Sequence, residues 1–286
     1  MDWDDSCFTD FRLAELCRKY KAKVTFNITP REHTDHCVMQ HETTERNGTT
    51  YHFKSPENFD RAEAVSIPYL TNKDFRYCYE GFKIAAHLNM RYEDTPEDLA
   101  FSRKLMEEFL SIAPGVTGQD GFGIVWSRGG KSPGIIKMAK ELGFRYCRGS
   151  NTYENPGRWG EWAIQPTTYW SEPSEKFWEW YELAKRRGDV FWFWGHTQDL
   201  GYDDAIWARL EGIIKRISED PDAEWIDVGD LAKENKEGSE QRTMCNPLPI
   251  EDYPLGVHCR GLANGTVPQV VDFALFGLSC SSRKSL

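Results

Sequence analysis

The feature that most constrains this chain is an alternation of two periodicities. Short β-branched and aromatic runs alternate with segments whose apolar residues recur at helical spacing. The runs are Val24 to Ile28, Phe82 to Ala86, Phe122 to Trp126, Arg145 to Cys147, a weaker one at Trp162 to Ile164, Val190 to Trp194 and Glu224 to Ile226. Between them lie helical patterns at Cys7 to Tyr20, Thr71 to Tyr79, Thr95 to Ile112, Ser132 to Gly143, Glu175 to Arg187 and Asp203 to Ile217. Strands separated by helices pair in parallel through right-handed crossovers. About seven such units predict an α/β fold, a closed or nearly closed barrel rather than a short open sheet.

In such barrels chemistry collects where strands end and loops begin. Asp4-Asp5, His87, Ser127-Arg128 and His196 all fall just after predicted strands. Adjacent residues on a strand point to opposite faces, but a turn at the strand's end lets both acids reach one site. There one carboxylate can ligate a metal and the other act as a base, provided a nearby cation holds both ionised. The plainer reading of Asp-Asp is a polar turn and helix cap, with Thr9 or Asp10 capping the helix that follows. For His87 and His196 it is a hydrogen-bonded histidine at a strand end, and for Arg128 a surface arginine.

The net charge of −10 makes nucleic acid an unsuited partner, because an acidic chain repels phosphate. No apolar run approaches the roughly 18 residues of a membrane span. No charged-then-apolar leader is visible, so the default location is cytoplasmic. The eight cysteines form no CxxC pair, which argues against a four-cysteine zinc site. Cys17, Cys78 and Cys147 sit in apolar patterns and read as small buried hydrophobes. The aromatics, 11 Trp, 12 Tyr and 16 Phe, fit a thick core first and a carbohydrate-contacting cleft second. On that ordering Trp126, Trp159 and Trp170 read as core or loop anchors before sugar platforms. Arg31 to about Ser66 is a long polar stretch carrying His33, His36, His41 and His52, expected as a loop or insertion over one face. The barrel is expected over 1–235. Residues 236–286 form a C-terminal extension with no assignable motif.

Several segments together resemble the polysaccharide deacetylase family, the NodB-homology group of carbohydrate esterases, over about residues 1 to 234. Trp3-Asp4-Asp5-Ser6 stands where that family has Phe-Asp-Asp-Gly. Lys23-Val24-Thr25-Phe26-Asn27 resembles its Lys-Ala-Thr-Phe segment. Tyr79 to His87 resembles the lead into its His-x-x-x-His motif. Gly143-Phe144-Arg145-Tyr146 matches a strand start, and Trp194-Gly195-His196-Thr197-Gln198-Asp199 resembles a late histidine motif. The resemblance implies a distorted (β/α) barrel of about seven parallel strands that binds one divalent metal, usually zinc. Asp5 and His87 would be ligands, Asp4 the catalytic base and His196 the general acid, with Arg128 in the family's Arg-Pro-Pro-like loop. The implied activity is hydrolysis of a carbon–nitrogen amide bond, the N-acetyl group of an amino-sugar polymer or oligosaccharide.

The chain departs from the pattern in three places. The residue four after His87 is Arg91, and a guanidinium does not ligate zinc. Ser127-Arg128-Gly129-Gly130 lacks proline, and only Met1 to Trp3 precede the acids. Two further readings follow. One is a non-catalytic relative that keeps the barrel as a carbohydrate-binding or interaction domain. The other is a hydrolase of a non-sugar amide. Arg91 is also expected as a salt-bridge partner for Asp4 or Asp5, and His33, His36 and His41 read as a solvated polar loop first and a reserve of metal donors second.

Overall fold

A computed structural model describes residues 1–33, 35–39, 65–91, 93–126, 132–149, 163–164, 166–172 and 174–230. The chain divides into two compact units, Met1–Thr243 and Met244–Leu286, and the described residues all fall in the first. Arg128, His41, His52, Trp159 and the proposed extension lie outside them.

The elements run β1 (Asp2–Asp4), α1 (Asp10–Tyr20), β2 (Thr25–Ile28), β3 (His36–Met39), β4 (Val65–Pro68), α2 (Asn72–Cys78), β5 (Lys83–Leu88) and α3 (Pro96–Thr117). Then follow β6 (Gly123–Trp126), α4 (Pro133–Glu141), β7 (Tyr146–Arg148), β8 (Ala163–Ile164), β9 (Thr168–Tyr169), α5 (Ser174–Arg187), β10 (Phe193–His196) and α6 (Asp204–Ser218). Eight strands form one sheet in the order β8-β7-β6-β5-β2-β1-β10-β9, curled into a half-barrel. Every pair within it is parallel. The α/β barrel expected from the alternation is therefore the fold found. Strands β3 and β4 pair antiparallel apart from the sheet, at the two ends of the long polar stretch.

A very short strand carries the acids, inside the sheet rather than at its edge. β1 has three residues, yet it pairs β2 on one side and β10 on the other. Alternation along it divides the chemistry. Trp3 turns to the apolar face, fully buried beside Trp170, with ring centroids 6.2 Å apart. Asp2 and Asp4 take the opposite face. Asp4 is in register with Asn27 of β2 and His196 of β10. Gly195 is required beside Trp3, because a Cβ there would stand 2.3 Å from Trp170 Cδ1.

Helix starts follow the expected capping chemistry at several points. The Thr95 and Ser132 hydroxyls accept from Asp98 N–H and Ile135 N–H, each followed by proline in the first turn. Asp203 accepts from Ala205 and Ile206 N–H. Thr9 makes no side-chain cap to α1; its hydroxyl donates to Thr197 instead.

Several boundaries differ from expectation. β5 runs on to Leu88, so His87 lies inside the strand and not just after it, and β7 ends at Arg148 and not Cys147. α3 runs on to Thr117, with Pro114 inside its last turn and Gly118 left-handed at φ 63° as its cap. β10 runs Phe193–His196 rather than Val190 to Trp194, so His196 is its last residue instead of the second beyond it. β9 had no periodic signal at two residues. Glu224 to Ile226 is not a strand; residues 223–227 are irregular. Cys17, Cys78 and Cys147 are buried, as are Trp126 and Trp170. No described helix is long and apolar enough to cross a membrane.

Candidate active site

Asp4 ends β1, His87 lies in β5 and His196 ends β10. The turn that brings Asp5 to the same place is strained: Asp5 and Ser6 are both left-handed, at φ 82° and 57°. Non-glycine residues avoid that region, so two in succession mark a constraint imposed from outside the turn. Its anchors are visible. Thr29 N–H donates to the Ser6 hydroxyl at 3.0 Å, Leu70 N–H donates to the Ser6 carbonyl, and Arg31 donates to the Asp5 carbonyl.

Four expected residues thus meet. His87 Nε2 is 3.1 Å from Asp5 Oδ1. His196 Nε2 is 3.8 Å from Asp5 Oδ2 and 4.0 Å from Asp4 Oδ2. Gln198 donates to Asp5 Oδ2 at 2.8 Å and accepts from the Cys7 thiol. The fifth, Arg128, lies outside the described residues.

Arg91 is not in the site. It is exposed, 3.4 Å from Asp98 and over the Phe101 ring at 4.4 Å. The cation expected of it beside the acids comes from Arg148 at the end of β7, which is wholly buried. Arg148 Nη2 donates to Asp4 Oδ1. Its Nε lies 2.6 Å from Asp2 Oδ2, pairing charge without hydrogen-bond geometry. Asn27 Nδ2 donates to both Asp2 Oδ2 and Asp4 Oδ1, at 2.9 and 2.7 Å. Trp192 Nε1 donates to Asp2 Oδ1 at 3.0 Å. Burial opposes ionisation of both acids. At Asp4 the guanidinium, with His87 and His196 behind it, outweighs burial and holds the carboxyl below the usual carboxylate range. At Asp2 burial prevails and pushes it up.

The histidines respond in the opposite sense. Burial disfavours their charge, but at His87 the Asp4 and Asp5 carboxylates prevail and its pKa is raised. At His196 Asp199, then Asp5 and Asp4, raise it to about 9. Tyr169 of β9 stands between His196 and Asp199. Its hydroxyl is 2.8 Å from His196 Nδ1 and donates to Asp199 Oδ2. Beneath lies another buried acid. Asp10 accepts from Tyr79 and Thr197, and burial pushes its pKa up to about 7.

Asp5 and His87 have the chemistry of metal ligands but fall short in number. Catalytic zinc sites take three protein ligands. Among the described residues no group of three or more His, Cys, Asp or Glu side chains is placed to hold a metal ion. A metal-bound histidine also anchors its second nitrogen, and His87 Nδ1 is buried with no partner. Of the reserve donors, His33 is exposed and His36 lies in β3. The described residues therefore do not fit a complete catalytic metal centre.

Sequence reading missed Arg148, Asp2, Asn27 and Tyr169. Arg148 stands one residue past the run Arg145 to Cys147; extending that strand by one would have put it among the strand-end candidates.

No family model matches the chain, and no curated protein does. Solved structures do. A Mycobacterium smegmatis protein assigned as a polysaccharide deacetylase aligns with TM-score 0.51 and 13% identity, over 84% of this chain and 82% of that one. A Pseudomonas aeruginosa PAO1 protein assigned likewise gives 0.48 and 18%, over 80% and 73%. A CE4 family pseudoenzyme from Bacillus anthracis gives 0.35 and 11%, over 74% and 61%. Only the first of these three scores is high enough to bear weight, and at 13% identity it speaks for architecture. The fold of this chain is that of the polysaccharide deacetylases.

Proposed function

We propose that this site hydrolyses a carbon–nitrogen amide bond, the N-acetyl group of an amino-sugar polymer or oligosaccharide. The observation that carries the reading is the meeting of Asp4 and His196 at 4.0 Å, Asp4 paired chiefly with Arg148 and His196 chiefly with Asp199. Asp4 is an ionised carboxylate able to take a proton from an attacking water as the oxygen–carbon bond forms. His196 is an imidazolium able to give the Nε2 proton to the amine nitrogen as the carbon–nitrogen bond breaks, leaving acetate and a free amine. An amine leaves poorly without that proton. No step is routed through a metal, since the described donors stop at two.

The test is turnover on a panel of N-acetylated sugars and simple amides, with zinc added and with a chelator. Asp4→Asn and His196→Ala are each expected to lower kcat by about 10²–10⁴-fold, the usual yield of a positioned base or acid. Undiminished turnover in Asp4→Asn would sink the assigned base. Activity that a chelator removes and zinc restores would mean that residues beyond those described complete the donor set. Turnover of simple amides alone would favour a non-sugar substrate.

A second reading is a carbohydrate-binding domain without catalysis. It is favoured by the short donor set among the described residues. It predicts that wild-type protein binds an N-acetylglucosamine oligomer, unaffected by chelator, and hydrolyses none.

A further inference from the structure

Resting on the reading of His196 as the acid, we infer that Tyr169 is the positioning residue that fixes its ring, by standing as a hydroxyl bridge between the imidazole and Asp199. The Tyr169 hydroxyl has one hydrogen, and it donates that hydrogen to Asp199 Oδ2. Its oxygen is left to accept, and the atom facing it at 2.8 Å is His196 Nδ1. Nδ1 must then carry a hydrogen whether the ring is charged or neutral. That leaves Nε2 as the nitrogen that exchanges a proton, and Nε2 is the atom turned to Asp4 and Asp5.

Asp199 does not do this alone. Its Oδ2 is 3.5 Å from Nδ1, beyond good hydrogen-bond distance. The bridge is held from several sides. The Tyr169 ring packs edge-on against Trp194 at 4.8 Å, and Trp194 in turn packs against the His196 ring at 5.3 Å. Tyr169 and Trp194 are register partners in β9 and β10. Asp199 is fixed in the 3-10 turn Thr197–Asp199 that follows His196 directly. Two residues of β9, too short to show a strand pattern, thus set which face of the acid is presented.

The test compares wild type with Tyr169→Phe, which deletes only the hydroxyl. In the wild type, proton NMR at neutral pH is expected to show a slowly exchanging, downfield imidazole Nδ1–H, assigned by its loss in His196→Gln. Tyr169→Phe loses that signal, because the remaining acceptor is too distant. Asp199→Ala, which takes away the hydroxyl's acceptor, speeds its exchange. In turnover assays Tyr169→Phe lowers kcat by up to about 10²-fold, the scale of a misplaced catalytic group, with KM unchanged. A signal absent from wild type, or surviving unchanged in Tyr169→Phe, overturns the bridge. A raised KM with unchanged kcat overturns it as well. If the signal behaves as expected while wild-type protein hydrolyses nothing, the bridge stands and the catalytic reading falls.

Discussion

The two sides of the site hold their working groups by different physics. On the base side Asp4 is 2% exposed, and a buried guanidinium fixes it, shared with Asp2 and braced by Asn27. On the acid side His196 is 20% exposed, and a neutral phenol fixes it on the way to a carboxylate. The base side therefore depends on charge balance and has no water to fall back on. The acid side depends on orientation and keeps an open edge. A buried ion set is hard to lose without losing the fold, whereas a hydrogen-bond bridge can be cut with little structural cost.

The largest expected effect breaks the base side. Arg148→Met keeps apolar bulk but leaves Asp2 and Asp4 buried together without their cation. Removing one partner of a buried ion set typically costs about 3–5 kcal/mol. Urea denaturation at neutral pH should show that loss, and the deficit should shrink in acid, where the orphaned carboxylates take up protons. Cutting the acid side by Tyr169→Phe should cost nearer about 1 kcal/mol, the net worth of an ordinary hydrogen bond. Equal losses from the two variants would erase the distinction between the sides.

A smaller effect concerns what lies beneath both. Asp10 ties Tyr79 to Thr197, and burial raises its pKa to about 7 in the fold from 3.8 for a free carboxyl. Between those two values the folded chain holds a proton that the unfolded chain has released. Its contribution to stability is thus intact below about pH 4 and lost as pH rises through about 7. Asp10→Asn removes this dependence. The variant should match wild type near pH 4 and exceed it above pH 7, by an amount of the order of a few kcal/mol at most. Parallel stability curves across that window would show that Asp10 stays ionised and is held by its two hydroxyl donors.

How legible this was in the sequence follows the range of each signal. The barrel was readable because its periodicities repeat along the chain, His87 and His196 because each lies at or near the end of a strand that announces itself, and Asp5 because it is one of two adjacent acids just before a helical pattern. Arg148 was hidden by one residue of strand length. Its partner Asp2 had no context, since a three-residue strand shows no period, and its central place depends on pairing with β2 and β10. Tyr169 was hidden for the same reason. Arg91 misled in the other direction. A position four residues past His87 was read as pointing where His87 points, but the chain leaves the sheet after Leu88.

That departure sets the smallest expected effect. Arg91 is paired with Asp98 on α3, whose first turn it covers, and lies against Phe101. Its side chain is 58% exposed, so solvent screens the pair. Exposed pairs of this kind are worth about 0–1 kcal/mol. Arg91→Ala should therefore shift stability by less than about 1 kcal/mol and leave sugar binding and turnover unchanged. Titration with zinc should give the same stoichiometry for Arg91→Ala as for wild type. A variant that gained metal or activity would place the guanidinium at the acids after all, and the charge balance assigned to Arg148 would have to be shared between two arginines.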